Sequence, residues 1–379
     1  MSTRRSVAFG ILAAVTLLAA NLVQAAEPVV VAGLSSPNHP QQPQVVIDAG
    51  GVIHVAFGAK SGKSQGDIYY ARSGDGGKSY STPIKVGTVN GLALGMRRGP
   101  RIALSGDAVC ISVIGHKDGN IFLFRSIDAG KTWEEAATIN DERGSASEGL
   151  HAMAASPKGE LTCVWLDHRH KKSEVFSSTS TDGGKTWSQN VLAYHSPDGD
   201  VCPCCHPSVA YSPDGKIHAL WRNALGGSRD MYQAVSSDGG KTFAKAQKLG
   251  AGTWPLDSCP MDGGSIAVLS NGKPATVWRR DKTVYYFGPG SSQETELGPG
   301  EQPWLAASSK GPIAVWLRKR GESLLLRLPG AKVPVELSKA AGDPIVASGG
   351  AKNEIVVAAW EDTSGGVKKI VCQRIELTR

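Results

Sequence analysis

Beyond residue 25 the chain has no apolar stretch long enough to cross a bilayer, so the mature protein offers no candidate for a spanning helix. It also has no basic run interleaved with aromatics, and a formal charge of only +7, which leaves nucleic acid without its usual electrostatic footprint. Long stretches of helical periodicity are few, arguing against helical and alternating α/β architectures. Methionine is scarce as well: five in 379 residues, one of them the initiator.

What is abundant is glycine, 46 residues, set among many short apolar runs, the composition of an all-β chain with tight turns. The N-terminus differs from the rest. Arg4 and Arg5 precede "VAFGILAAVTLLAANLV", and Val23 and Ala25 suit the −3 and −1 positions of a signal-peptidase site. This predicts a signal peptide over residues 1–25 and a mature chain over 26–379, periplasmic or secreted, with no stable membrane insertion after cleavage. Loss of Arg4 and Arg5 lowers the formal charge by two. Seven cysteines in an oxidising compartment are expected to pair, with one left over.

A repeat sets the architecture. "SGDGGKSY", "SIDAGKTW", "STDGGKTW" and "SSDGGKTF" begin at Ser73, Ser126, Ser180 and Ser236, spaced by 53, 54 and 56 residues. Each places Ser, Asp and Gly before a closing aromatic (Tyr80, Trp133, Trp187, Phe243), the chemistry of a hairpin turn whose Asp binds backbone N–H groups. Each copy sits in a unit of four short strands, between the third and fourth. Three later units, containing "KPATVWRR", "GPIAVWLRKR" and "EIVVAAWED", lack the turn but keep the second strand. Phe57, Val113, Trp165, Trp221, Trp278, Trp316 and Trp360 are then equivalent, giving seven units. The last stops at its third strand, and "EPVVVAG" near residue 30 reads as the missing fourth. The expectation is a single seven-bladed β-propeller, rather than six-bladed, closed by an N-terminal strand that hides both sheet edges.

The four turns resemble the Asp-box, or BNR, repeats of sialidases and related β-propellers, over nearly the whole mature chain. That resemblance implies that the strand 2-to-3 and 4-to-1 connections, opposite the Asp boxes, carry the ligand site. Arginines on those connections, namely Arg98, Arg101, Arg169, Arg222, Arg229, Arg279 and Arg318, are candidates to grip a carboxylate in bidentate fashion, as three arginines do in sialidases. His151, Asn223 and Asp262 lie on the same connections as further substrate-binding candidates. Catalysis in that family uses a tyrosine with a glutamate and an aspartate acid/base; here Tyr194, Glu148 and Asp167 are the candidates. The family's Phe-Arg-Ile-Pro tetrapeptide is absent, "RRGPRIAL" being a loose substitute in the second unit, and seven blades depart from the classical six.

A second constellation lies on the same face. Cys202, Cys204, Cys205 and His206 crowd "VCPCCHP", while Cys259 and Met261 occupy the next 4-to-1 connection in "DSCPMDGG". Disulfides between neighbouring connections are one reading. A metal clamp is the other, and thiolate, thioether and imidazole together favour copper. Cys110, Cys163 and Cys372 fall within strands as buried thiols or a cross-blade disulfide. Three functions follow: recognition, with or without hydrolysis, of an anionic sialic-acid-like glycan or small molecule; soft-metal binding or redox work; or a non-catalytic binding or assembly propeller. The first leads. No cofactor is certain from the sequence, copper being the one it suggests.

Overall fold

The protein was analysed as a computed structural model that describes residues 26–33, 37 and 39–377. The signal peptide expected over residues 1–25 lies outside the described residues, and no helix among those described is long and apolar enough to cross a membrane. Seven four-stranded antiparallel sheets form the ring. Blades 1 to 6 each pair four consecutive strands in order, from Gln41–Ile47 through Ile84–Asn90 in blade 1 to Glu301–Ser308 through Val335–Ser338 in blade 6. Blade 7 takes Ala341–Gly349, Ile355–Asp362 and Lys369–Ile375 from the C-terminal end and Val29–Ala32 from the N-terminal end. Val29 pairs with Cys372 and Val30 with Val371, so the ring closes as the sequence predicts.

The strand patterns explain the layering. Second strands are buried on both faces and read as continuous apolar runs: every residue of Ala108–Gly115 and of Leu161–Asp167 is buried. The seven equivalent positions fall here, with Trp165, Trp221, Trp316 and Trp360 at most 1% exposed. First strands line a central channel of about 740 Å³, walled by Arg101, Met153, Ser208 and Trp304 among others. Fourth strands are the more exposed ones: Glu134–Thr138 contains no buried residue, and Ile84–Asn90 buries only Val86 and Val89.

The Asp boxes lock neighbouring blades. Ser126 Oγ donates to Asp128 Oδ1 (2.8 Å) and accepts from Gly130 N (2.9 Å), while Asp128 accepts from Thr132 N (2.9 Å) and Thr132 Oγ1 (2.6 Å). Gly130 has φ +84°, and a Cβ there would lie 2.1 Å from the Tyr70 ring, so only glycine lets the turn approach blade 1. The turn delivers Trp133 edge-on to Tyr70, centroids 5.2 Å apart, between blades 2 and 1. Tyr80, Trp187 and Phe243 are likewise packed against inter-blade core clusters.

Trp133→Ala should therefore destabilise the ring by about 3 kcal/mol, at the low end for a large aromatic because one side of the indole meets solvent. Chemical denaturation should show a lower midpoint. An unchanged midpoint would mean that the aromatic wedge is not structural.

Candidate functional site

The face opposite the Asp boxes is built from the 4-to-1 and 2-to-3 connections. Val201 forms an isolated bridge with Asn223 and donates to Ser173 O (2.8 Å), while Cys202 N donates to Arg222 O (3.1 Å). These bonds pin the "CPCC" segment to the end of the second strand of blade 4, leaving Cys202, Cys204 and Cys205 buried. Their Sγ atoms are 3.4 Å (202–205), 3.7 Å (202–204) and 4.0 Å (204–205) apart. Disulfide sulfurs would lie about 2.05 Å apart. Three thiolates held at about 2.3 Å from one ion would instead be separated by roughly 3.8 to 4.0 Å. All seven cysteines are free, so the disulfides expected between adjacent connections, and across blades for Cys110, Cys163 and Cys372, are not formed.

Charge is distributed unevenly over the triad. Hydrogen bonds from the Cys204 and Cys205 thiols, with the Arg222 charge behind them, pull the Cys202 thiol well down from its ordinary value. Burial, then Cys202, pushes Cys205 up. Cys259 is exposed with its thiol directed at Cys204, and Met261, at φ 53°, packs against the cysteine cluster. The triad is the only group of three or more His, Cys, Asp or Glu ligand atoms that converges within 4.8 Å among the described residues. His206 is outside it, a correction to the expected shell. Its ring stacks on Trp304 (centroids 5.8 Å, 15°), and burial followed by Arg97, Arg101 and Arg222 pushes its pKa far down.

The arginines have structural partners. Arg222, 1% exposed, donates to Asp262 O (2.9 Å), Arg229 O (2.7 Å) and Arg279 O (2.7 Å) and lies over Trp254. Arg101 donates to His151 O (2.9 Å), Pro100 O (2.9 Å) and Arg97 O (2.5 Å). Arg169 is gripped by Asp167, Asp141 and Asn190 and lies over Phe176. Arg279 meets Glu301 (3.1 Å). Arg98 Nε donates to Glu148 O (2.7 Å), and Arg229 Nε reaches Ser258 O at 3.3 Å in an exposed setting. Arg318 lies just past the second strand of blade 6, its backbone N–H on Ser323 O.

The carboxylates divide similarly. Asp167 is fully buried, accepting from Ser145 (2.7 Å), Trp165 Nε1 (2.7 Å) and Arg169; burial raises its pKa, but these bonds outweigh it and hold the carboxylate low. Asp262 accepts Gln302 N (2.7 Å), and burial pushes its pKa up against Arg97. Glu148 is the accessible one, its side chain 29% exposed, 3.3 Å from His168 Nε2 and 3.9 Å from Arg98. That contact raises the His168 pKa. Tyr194 OH accepts from Asn223 Nδ2 (2.8 Å), and burial raises its pKa. His151 is buried with Nε2 against Ser112 Oγ (2.9 Å) and is pushed far down by desolvation, then by Arg101.

Two groups escaped the sequence reading. Arg97, fully enclosed, crosses the channel mouth from the connection between blades 1 and 2 to Pro344 O (2.7 Å) and Gln302 O, with its guanidinium over Trp304. Glu174, buried, accepts from His170 and His195 at 2.6 Å each, and both imidazoles face solvent. Strand register carries the signal for the second: Glu174 opens the third strand of blade 3 and His195 follows the fourth.

Comparison with known proteins adds the scaffold's kinship. The BNR repeat-like domain family is matched over residues 24–200 and 108–282. A Dyadobacter fermentans protein of unknown function is 17% identical with TM-score 0.55, covering 94% of this chain and 99% of that one. A Penicillium chrysogenum alpha-L-arabinanase complexed with arabinobiose is 14% identical with TM-score 0.56, covering 93% and 98%. An intramolecular trans-sialidase from Ruminococcus gnavus, in complex with oseltamivir carboxylate, is 12% identical with TM-score 0.57, covering 92% and 96%. At these identities the fold is what is shared.

If Arg222 braces three carbonyls of blades 4 and 5, Arg222→Lys should cost about 3 kcal/mol, because one ammonium cannot serve three diverging carbonyls and leaves buried acceptors unpaired. Thermal and chemical melts test this. A variant of unchanged stability would return Arg222 to the ligand-binding candidates.

Proposed function

The chain belongs to the BNR repeat-like domain family, and on that scaffold we propose that it binds a thiophilic metal ion through Cys202, Cys204 and Cys205. The observation that carries this is the sulfur triangle, with edges of 3.4 to 4.0 Å. Three buried thiolates select soft ions, and a three-sulfur shell with Met261 alongside matches copper(I) best. Arg222 offsets the thiolate charge without competing as a ligand, since its donors are already on carbonyls. Cys259 gives the ion an exposed way in or out, its thiol meeting both Cys204 and solvent. With the export signal read from residues 1–25, the protein would hold or pass a metal ion in the periplasm or outside the cell.

A sugar-like ligand on the same face is the second reading. Glu148 favours it, as a half-exposed carboxylate between His168 and Arg98 on a scaffold shared with an arabinanase and a trans-sialidase. It would serve as the acid or anchor, with Arg229 as the accessible cation.

Anaerobically reduced mature protein should take up one equivalent of copper(I), and the ion should protect three thiols from a thiol reagent. Cys202→Ser should weaken binding by at least about 100-fold, the upper end of what losing even an outer partner of a metal site costs. Cys372→Ser, remote from the triad, should bind normally. Failure of the reduced triad to bind would sink the metal reading. A panel of arabino-oligosaccharides and sialylated glycans, tested on Glu148→Gln beside the parent, addresses the second reading: binding lost in the variant supports it, and no binding by the parent ends it.

A further inference from the structure

Each Asp-box aromatic fills a socket between its own blade and the preceding one, and blade 6 lacks that residue. Its turn between Leu324–Arg327 and Val335–Ser338 reads "LPGAKVP", with no aromatic. The space stays open as a cavity of about 240 Å³ between blades 5 and 6. Strand register shows that it is the same socket. Tyr286 pairs with Val277 as Tyr70 pairs with Ala56, and Leu305 pairs with Ala314 as Ile102 pairs with Ile111. Tyr286, Leu305 and Ala314 line the cavity. Their counterparts Tyr70, Ile102 and Ile111 belong to the cluster that receives Trp133.

We propose that this socket takes an aromatic side chain presented on a turn of a partner protein. The occupant's chemistry is set by the molecule itself, where four equivalent sockets hold Tyr80, Trp133, Trp187 and Phe243. The size fits: an apolar cavity of roughly 150 Å³ admits benzene, so the larger socket has room for an indole. Ala314 in place of Ile111 deepens it, and Tyr286 offers the ring edge that Tyr70 offers Trp133. Around the lip lie Arg327, whose Nε is held by Ala331 O (3.0 Å), exposed Lys332, and Val333 at 75% exposure. The basic rim favours a partner turn that carries an acidic residue as well as the aromatic, and each Asp box has one such residue, five positions before its aromatic.

A cyclised peptide copying Ser126–Trp133 and its Trp133→Ala counterpart are the probes, titrated against the full mature chain with backbone amide shifts as the readout. Saturable shifts at Leu297, Ala314 and Gly330, at least about tenfold weaker for the alanine peptide, are expected, a difference of about 1.4 kcal/mol. Ala331→Trp, which supplies an aromatic from the exposed turn, should raise the melting temperature and abolish peptide binding. Ala314→Phe, filling the floor, should also abolish it. Equal binding of both peptides, shifts confined to other blades, no saturation at millimolar peptide, or binding that survives in both plugged variants would each overturn the proposal. So would concentration-dependent self-association that disappears in Ala331→Trp, since the occupant would then be a second copy.

Discussion

The face opposite the Asp boxes depends on pairing backbone carbonyls at the strand ends and bulges beside the channel. A propeller satisfies its sheets internally, but strand starts, bulges and the links between blades leave acceptors beside the central channel. Arg97, Arg101 and Arg222 supply the donors, each reaching a carbonyl of another blade or its link: Pro344 for Arg97, His151 for Arg101, Asp262 and Arg279 for Arg222. A buried carbonyl without a donor costs roughly 1–3 kcal/mol, so three guanidiniums serving several carbonyls hold together a layer of strand ends and links at this mouth.

That bracing decides what the face can offer chemically. Guanidiniums directed at carbonyls contribute positive potential but few free donors, which leaves the half-buried Arg229 and the Arg98–Glu148–His168 group as the more accessible polar groups of this face. The "CPCC" segment inherits rigidity from the same layer, since Cys202 N hangs on Arg222 O while the guanidinium of Arg222 ties down Asp262 O, next to Met261. Preorganised ligands lose little entropy on closing around an ion, which is how a short loop can act as a clamp.

The architecture was legible because it rests on local chemistry repeated at a period. Ser, Asp and Gly at fixed spacing specify a turn, and one large residue per second strand specifies a blade, so seven units and the N-terminal closure could be counted. The crowding of Cys202, Cys204 and Cys205 was legible for the same reason. The roles of the arginines were not. A sequence shows the carboxylates an arginine could meet but not the carbonyls, and Arg222 and Arg101 chose carbonyls. Nor was the direction of His206 visible: it follows Cys205 in sequence, yet its ring turns toward Trp304 at the channel. A subtler regularity was available. Gln42, Gly99, His206, Gln302 and Asp343 each precede a proline at or near the start of a first strand, placing them around one mouth, where Gln302 and Asp343 bond each other.

Blade 7 has an implication for the order of events in the cell. Val29–Ala32 are synthesised first, yet their partner Lys369–Ile375 comes more than 330 residues later. Six sheets can assemble from neighbours in the chain as they emerge, with short loops and little entropy to overcome. The seventh must wait for the last segment, so an unpaired strand edge persists through the whole of synthesis. Until the ring shuts, the thiols stay open to any oxidant in the compartment where the chain folds. Folding speed therefore decides whether the three neighbouring sulfurs of the "CPCC" segment survive as thiols.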